Sequence, residues 1–175
     1  HIEKIEKPRK RFFVGQIPNK GYISEQEIST MINTIDTTDF EQIKAVVGIF
    51  EELEHDEPRL LYGHKLTGFG QGYMMPTCGK HKPDDNNNPV TVAKREGFEE
   101  AQLQGWSNIV AGQIIVTIRD KRQVLLIDIV IFTSWSGDLK WNGEFESLEF
   151  LPLSTILNSK ILPHDGDWLR RVFLE

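Results

Sequence analysis

Arg95-Glu96-Gly97-Phe98-Glu99-Glu100 gathers three carboxylates and a guanidinium into one short stretch. Upstream, Asn88-Pro89 supplies an N-cap and a proline at the first helical position, so a helix should start there. It is expected to run to about Leu103, with Gly105 as its stop. On such a helix Glu96, Glu99 and Glu100 stand at i, i+3 and i+4 and project from one face. Like charges at that spacing repel by roughly a few tenths of a kcal/mol per pair. A hard divalent cation with oxygen ligands, Mg²⁺ or Mn²⁺, would relieve the repulsion. Arg95 can hold one carboxylate in orientation. A solvated face of clustered charge is the competing reading, and these residues alone leave both open. Gly97 costs about 1 kcal/mol in mid-helix relative to alanine, unless a neighbouring segment packs tightly there.

Outward from this helix the pattern alternates between strands and helices. Ile43 to Phe50 is apolar and β-branched, a buried strand. The acidic run Glu51 to Glu57, with Pro58, reads as a solvated hairpin tip, and Arg59 to Tyr62 returns as a second strand. The glycine-rich loop Gly68-Phe69-Gly70-Gln71-Gly72 is not a P-loop, because no Gly-Lys-Ser/Thr follows at the required distance. After the helix, Gln113 to Ile118 and Val124 to Phe132 are strands joined by a polar turn at Arg119 to Arg122. Glu144 to Leu151 is expected as a further strand, with helices near Leu153–Leu157 and Asp165–Leu174. Near the N-terminus, Arg11 to Val14 suits a short strand. Ser24 and Glu27 form a capping box ahead of a helix with Ile28, Met31, Ile32 and Ile35 on one face. Strands on both sides of one central helix, with another helix at the end, imply an α/β sandwich around a mixed sheet.

The 175 residues suit one domain with a substantial core. A formal net charge of -6 argues against a nucleic-acid polymer as partner, since polymer binders present basic surfaces. It does not exclude a phosphorylated small molecule bridged by divalent cations. The lone Cys78 cannot form an internal disulfide, which fits a reducing cytoplasm. The longest apolar run, Val124 to Phe132, is too short for a membrane span, and His1 to Arg11 has no apolar signal core. The histidines show no zinc-ligand spacing.

The central stretch resembles the signature of the Nudix hydrolases, G-x5-E-x7-R-E-U-x-E-E-x-G-U, where U is a bulky aliphatic residue. Gly79-Lys80 opens the box, and Arg95-Glu96-Gly97-Phe98-Glu99-Glu100-Ala101-Gln102-Leu103 closes it. Four departures stand out: the segment from Gly79 to Arg95 is two residues longer, Asp85 stands for the first glutamate, Gly97 for the aliphatic residue and Gln102 for the glycine. From about Ile43 onward the chain is similar to the oxidised-purine nucleoside triphosphatase (MutT-type) branch. Gly68 to Gly72, Gly112-Gln113-Ile114, Gly137 to Glu144 and Pro163-His164-Asp165-Gly166-Asp167-Trp168 fall at matching positions.

The resemblance implies a Nudix domain over residues 41–175, an α/β/α sandwich, with an N-terminal extension over 1–40. It implies Mg²⁺-dependent (or Mn²⁺-dependent) hydrolysis of a pyrophosphate bond in a nucleoside triphosphate or related nucleoside diphosphate derivative, releasing a nucleoside monophosphate. Glu96, Glu99 and Glu100 would bind metal, and Glu99 or Glu144 would be the general base. Arg95 and Lys80 would balance charge, Lys80 by touching a phosphate. In the base pocket Met75 replaces an asparagine, His164 and Asp165 stand for an aspartate pair, Leu162 replaces a stacking tryptophan, and Phe69 is kept. Each has an ordinary alternative: Asp165 as a helix cap, His164 as a surface residue, Phe69 as core packing. Trp135 and Trp141 suit either loop anchoring or ligand contact. Partners are then a small nucleotide, with neither nucleic-acid polymer nor membrane, in the cytoplasm. Other substrates of the same chemistry are nucleotide sugars, dinucleotides and isoprenoid diphosphates. A non-catalytic nucleotide-binding module of the same fold is the alternative from another class.

Overall fold

Period-two alternation in the apolar strands sends successive side chains to opposite faces, and here both faces are covered. The computed structural model describes residues 10–16, 40–118, 121–163 and 165–175. The Ser24 capping box and the helix expected after it lie outside the described residues, as do Arg119, Asp120 and His164. The central strands are β2 (Glu41–Glu52), β3 (Arg59–His64), β7 (Asn108–Ile118) and β8 (Gln123–Phe132). On one face Val47, Ile49, Tyr62, Ile129 and Ile131 pack with Leu153, Ile156, Trp168 and Leu169, from helices α2 (Leu153–Leu157) and α3 (Asp165–Phe173). On the other, Val46, Phe50, Leu61, Val130 and Phe132 pack with Val92, Ala93 and Ala101 of helix α1 (Pro89–Ala101). The result is the expected α/β/α sandwich.

The main sheet is mixed. Its order is β1–β7–β8–β2–β3–β10, where β1 is Lys10–Gln16 and β10 is Glu149–Pro152; β4 (Met74–Met75) pairs with β3, and β5 (Thr77–Lys80) with β2. β1 runs parallel to β7, with Lys10 opposite Gly112, so the strand expected at Arg11 to Val14 forms one edge of the sheet. β2 runs parallel to β8 along its first ten residues, from the pair Glu41/Gln123 to Phe50/Phe132. It also pairs antiparallel with β5 at Ala45–Gly48 and with β3 at Glu51–Glu52. One long strand therefore carries both halves of the sheet and brings β5 against α1. β7 begins before the expected Gln113, with an irregularity between Val110 and Gly112.

Three expectations need correction. Helix α1 ends at Ala101 rather than Leu103, because Gln102 takes the left-handed conformation (φ 57°) and its N–H bonds the carbonyls of Gly97 and Phe98. Gly105 is not the stop. It lies in β6 (Gln104–Gly105), paired with β9 (Trp135–Ser136), and the Phe132 ring occupies the space a side chain there would need. The strand expected over Glu144 to Leu151 is confined to Glu149–Pro152. Phe145 and Leu148, three apart and both buried, turn into the core instead of alternating, and Phe145 makes only an isolated bridge to Lys65.

Candidate active site

The helix carrying the carboxylates is fixed at both ends. The Asn88 side chain accepts the Val90 N–H at 3.0 Å, satisfying one of the orphan donors of the first turn. At the C-terminal end a loop docks on the unpaired carbonyls. Lys140 N–H donates to Ala101 O, and the Asn142 backbone N–H and side-chain amide donate to Glu100 O and Glu99 O at 3.4 and 3.2 Å. The Asn142 side-chain oxygen in turn accepts the Glu144 N–H at 2.9 Å. The need of the helix to satisfy its carbonyls thus delivers Glu144, far away in sequence, to the carboxylate face.

Arg95 organises one side of that face. Its Nη2 and Nε donate to the two oxygens of Asp85 at 2.8 and 3.2 Å, its Nη1 donates to Glu96 at 2.6 Å, and Nη2 also reaches the Lys80 carbonyl at 3.1 Å. Asp85 is only 3% exposed and also accepts the Lys82 N–H at 2.7 Å. The Arg95 hydrogen bond holds its carboxyl below the usual 3.8, against the upward pull of burial. Asp85 stands where the resemblance expects a glutamate. Held within the 3-10 turn Pro83–Asp85, its shorter side chain ties the loop to Arg95.

Glu100 faces the sheet. It is 1% exposed; its Oε1 accepts the Cys78 N–H at 3.0 Å and its Oε2 lies 3.3 Å from Lys65 Nζ. Burial raises its pKa above the carboxylate range, while Lys65 and the Cys78 N–H pull the other way. Lys65 is itself buried, lies 3.3 Å from Glu144 as well, and sits 4.6 Å from the centre of the Phe145 ring. Burial draws its ammonium toward the neutral form, but the Glu100 and Glu144 carboxylates outweigh it and leave the pKa above 10.5. Cys78 is partly buried at the pocket wall, and desolvation pushes its thiol up to about 12, so it is a poor nucleophile and contributes its backbone N–H.

Glu96 and Glu99 differ from Glu100 in exposure, with side chains 13% and 48% exposed. Gly79 lies so close to Glu96 that any side chain at that position would collide with the carboxylate. Gly97 is explained on the sheet-facing side of the helix: an added Cβ would stand 2.8 Å from the Phe50 ring, so the packed neighbour is an aromatic side chain of β2. Among the described residues, no three Asp, Glu, His or Cys side chains converge as a preformed metal cage. The donor chemistry nevertheless suits a hard cation, with Glu96 and Glu99 accessible, Glu144 brought across, and a glycine backbone leaving room beside Glu96.

A cleft leads away from this face. One pocket of about 260 Å³ is lined by Lys65, Phe69, Gly79, Lys80, Glu96 and Glu144. A second, of about 270 Å³, shares Val47, Phe69, Leu125 and Ile127 with it. Its walls are aliphatic, with Met75 and Leu162, and Asp165 is its ionisable lining residue. Asp165 is the first residue of α3, and its carboxylate accepts the Trp168 indole N–H at 3.0 Å. Burial raises it to about 6, partly offset by that hydrogen bond.

Of the residues singled out from sequence, Lys80, Glu96 and Glu144 line the charged end of the cleft and Phe69, Met75 and Asp165 its apolar end, whereas Arg95, Glu99 and Glu100 are not among its lining residues. Phe69 is half exposed over both pockets rather than packed in the core. His164 is outside the described residues. Trp135 stacks on Phe150 at 5.1 Å and meets Phe50 edge-on, so it anchors its loop. Sequence reasoning missed Lys65. The signal was available: Leu61 packs on the α1 face, and alternation along β3 carries Gly63 and Lys65 to the same side.

No protein-family profile matches the chain, and no curated protein matches it in sequence. Solved structures do match in fold. A MutT protein from Methanosarcina mazei Go1 superposes with a TM-score of 0.63 at 17% identity, covering 77% of this chain and 94% of that one. The NUDIX domain of Shewanella oneidensis NrtR, complexed with ADP ribose, gives 0.60 at 10% identity, covering 85% and 96%. A C. elegans Ap4A hydrolase in a binary complex gives 0.52 at 15% identity, covering 74% and 93%. The chain has the Nudix fold.

Proposed function

We propose that this Nudix-fold chain hydrolyses a pyrophosphate bond in a nucleoside triphosphate or related nucleoside diphosphate derivative, with Mg²⁺ or Mn²⁺ as cofactor, releasing a nucleoside monophosphate. The observation that carries the reading is a single cleft joining Glu96, Glu144 and Lys80 to an apolar pocket with Asp165 at its wall. A phosphate chain suits the first part and a base the second.

Glu96, Glu99 and Glu100 would hold the metal. When bound, such an ion offsets the charge of the phosphate oxygens and acidifies water. Arg95 fixes Glu96 through the 2.6 Å contact, and Asp85 anchors Arg95. Glu99 or Glu144 takes the proton of the attacking water, both being about half exposed to solvent. Lys80, exposed at the edge of the cleft, meets a phosphate; Phe69, Met75, Asp165 and His164 meet the base. The catalytic domain is residues 41–175, with 1–40 as an extension, and the setting is the cytoplasm. Among the described residues no helix is long and apolar enough to cross a membrane.

A second reading has one observation in its favour. Glu100 is already paired with Lys65 at 3.3 Å, which suits a module that binds nucleotide without turning it over. The test is product release across canonical and oxidised nucleoside triphosphates, nucleotide sugars, ADP-ribose, dinucleotides and isoprenoid diphosphates, with and without Mg²⁺. Metal-dependent turnover of one class supports the enzyme and names its substrate. Binding without turnover of any class favours the module.

A further inference from the structure

Lys65 presents a puzzle that the proposed reaction does not absorb. A lysine is rarely fully buried, yet this one is 4% exposed, with Nζ 3.3 Å from both Glu100 and Glu144. Its position is rigid. The Lys65 N–H donates to Tyr73 O and its carbonyl accepts the Gly72 N–H, while the neighbouring Leu66 N–H donates to Glu144 O at 2.8 Å. Its backbone bridges Phe145, and its ammonium rests over the Phe145 ring. Lysine and Glu144 are thus carried on backbones locked to each other, opposite a helix whose Glu100 is held by the Cys78 N–H. The groups facing Nζ are Glu100, Glu144, Cys78 and the Phe145 ring.

We infer that Lys65 is a built-in counter-ion that occupies the place of a divalent cation between Glu100 and Glu144 when the protein is metal-free, so that metal and lysine compete for the same carboxylates. The physical reason is mutual exclusion of charge. A buried carboxylate, Glu100, and a half-exposed one, Glu144, converge on the same point, and an ammonium there supplies a cation in permanent form. A divalent ion taking oxygens from Glu100 or Glu144 would meet that ammonium at close range, in surroundings that screen poorly. The lysine must then yield, or the ion binds weakly. Glu100 also meets the Glu96 carboxyl, but its two oxygens are already taken, Oε2 by the lysine and Oε1 by the Cys78 N–H of β5. The inference rests on the metal-assisted reading above.

The test is calorimetric titration of Mn²⁺, without nucleotide, into the wild-type chain, Lys65→Met and Lys65→Arg. Methionine keeps a linear apolar stem over Phe145 and removes the charge. The expected result is about tenfold tighter Mn²⁺ binding by Lys65→Met, with Lys65→Arg within about twofold of wild type. Without metal, Lys65→Met should unfold at lower temperature and regain more stability from Mn²⁺ than wild type does. A role confined to holding the fold would weaken metal binding or leave it unchanged, and either result overturns the inference. If Lys65→Met folds only with Mn²⁺ present, the cation has replaced the lysine and the inference stands. If it folds under neither condition, reductive methylation of wild-type Lys65 decides: labelling should rise several-fold when Mn²⁺ is added, and unchanged labelling overturns the idea. Saturable Mn²⁺ binding by wild type with no gain in Lys65→Met defeats this inference alone. Absence of saturable binding in every variant defeats the metal-assisted reading with it.

Discussion

Asp85→Asn is the most informative single change to the frame of the site. The carboxylate takes two bonds from Arg95, at 2.8 and 3.2 Å, and the Lys82 N–H at 2.7 Å, while 3% exposed. Asparagine keeps the shape but has one acceptor oxygen, so its amide must face a donor on one side or the other. Removing one partner of a buried ion pair costs about 3–5 kcal/mol. The Arg95 side chain is 21% exposed and keeps Glu96 at 2.6 Å, which leaves part of the charge compensated. The expected loss is therefore about 2–3 kcal/mol, or about 4–12 °C in Tm for a domain of this size. Urea unfolding followed by tryptophan fluorescence reads it, with an unchanged m-value. The pH dependence has a definite sign. Asp85 titrates below its usual 3.8 in the folded chain, so its contribution is present above the unfolded value and is lost as pH falls through the folded one. The gap between variant and wild type should hold from neutrality to about pH 5 and close in stronger acid. A loss under about 0.5 kcal/mol, or a gap that persists in stronger acid, refutes the reasoning.

Gly97→Ala should destabilise by about 1 kcal/mol despite the better helix propensity of alanine, because the added carbon meets the Phe50 ring; a more stable variant in urea unfolding would show that the helix can shift away. Gln102→Gly should stabilise by about 0.5–1 kcal/mol, since φ is 57° at that C-cap; a loss of stability would mean the Gln side chain does something unseen. Asp165 titrates near 6, above its usual 3.8, so its effect runs opposite to that of Asp85. Stability it lends in acid is lost as pH rises through the folded value, and Asp165→Asn should gain on wild type as pH rises from about 4 to 7; parallel Tm–pH curves would contradict this.

The α1 helix was legible because Asn88-Pro89 and the carboxylate spacing are local signals, and β2, β3, β7 and β8 because their apolar runs are long. What local pattern cannot carry is the identity of a neighbour. Gly97 looked anomalous until Phe50, from another strand, occupied the space; Glu144 to Leu148 looked like a strand because its apolar residues are dense, although Phe145 and Leu148 turn inward together. The parallel pairing of β1 with β7 joins segments about a hundred residues apart, and nothing in Lys10–Gln16 states its register. At the site, the acidic face was read from helix spacing, while its counter-ion was missed because Lys65 meets Glu100 only across the sheet-to-helix interface.

The central claim, that this helix face performs metal-dependent hydrolysis, is tested most directly by turnover of Glu99→Gln beside wild type in saturating Mg²⁺, on the substrate the nucleotide panel identifies, with Tm measured on the same samples. The Glu99 side chain is 48% exposed, so the fold should not register the change. The account predicts a fall of about 100-fold or more in kcat with Tm unchanged. Near-wild-type turnover by a folded Glu99→Gln would contradict it.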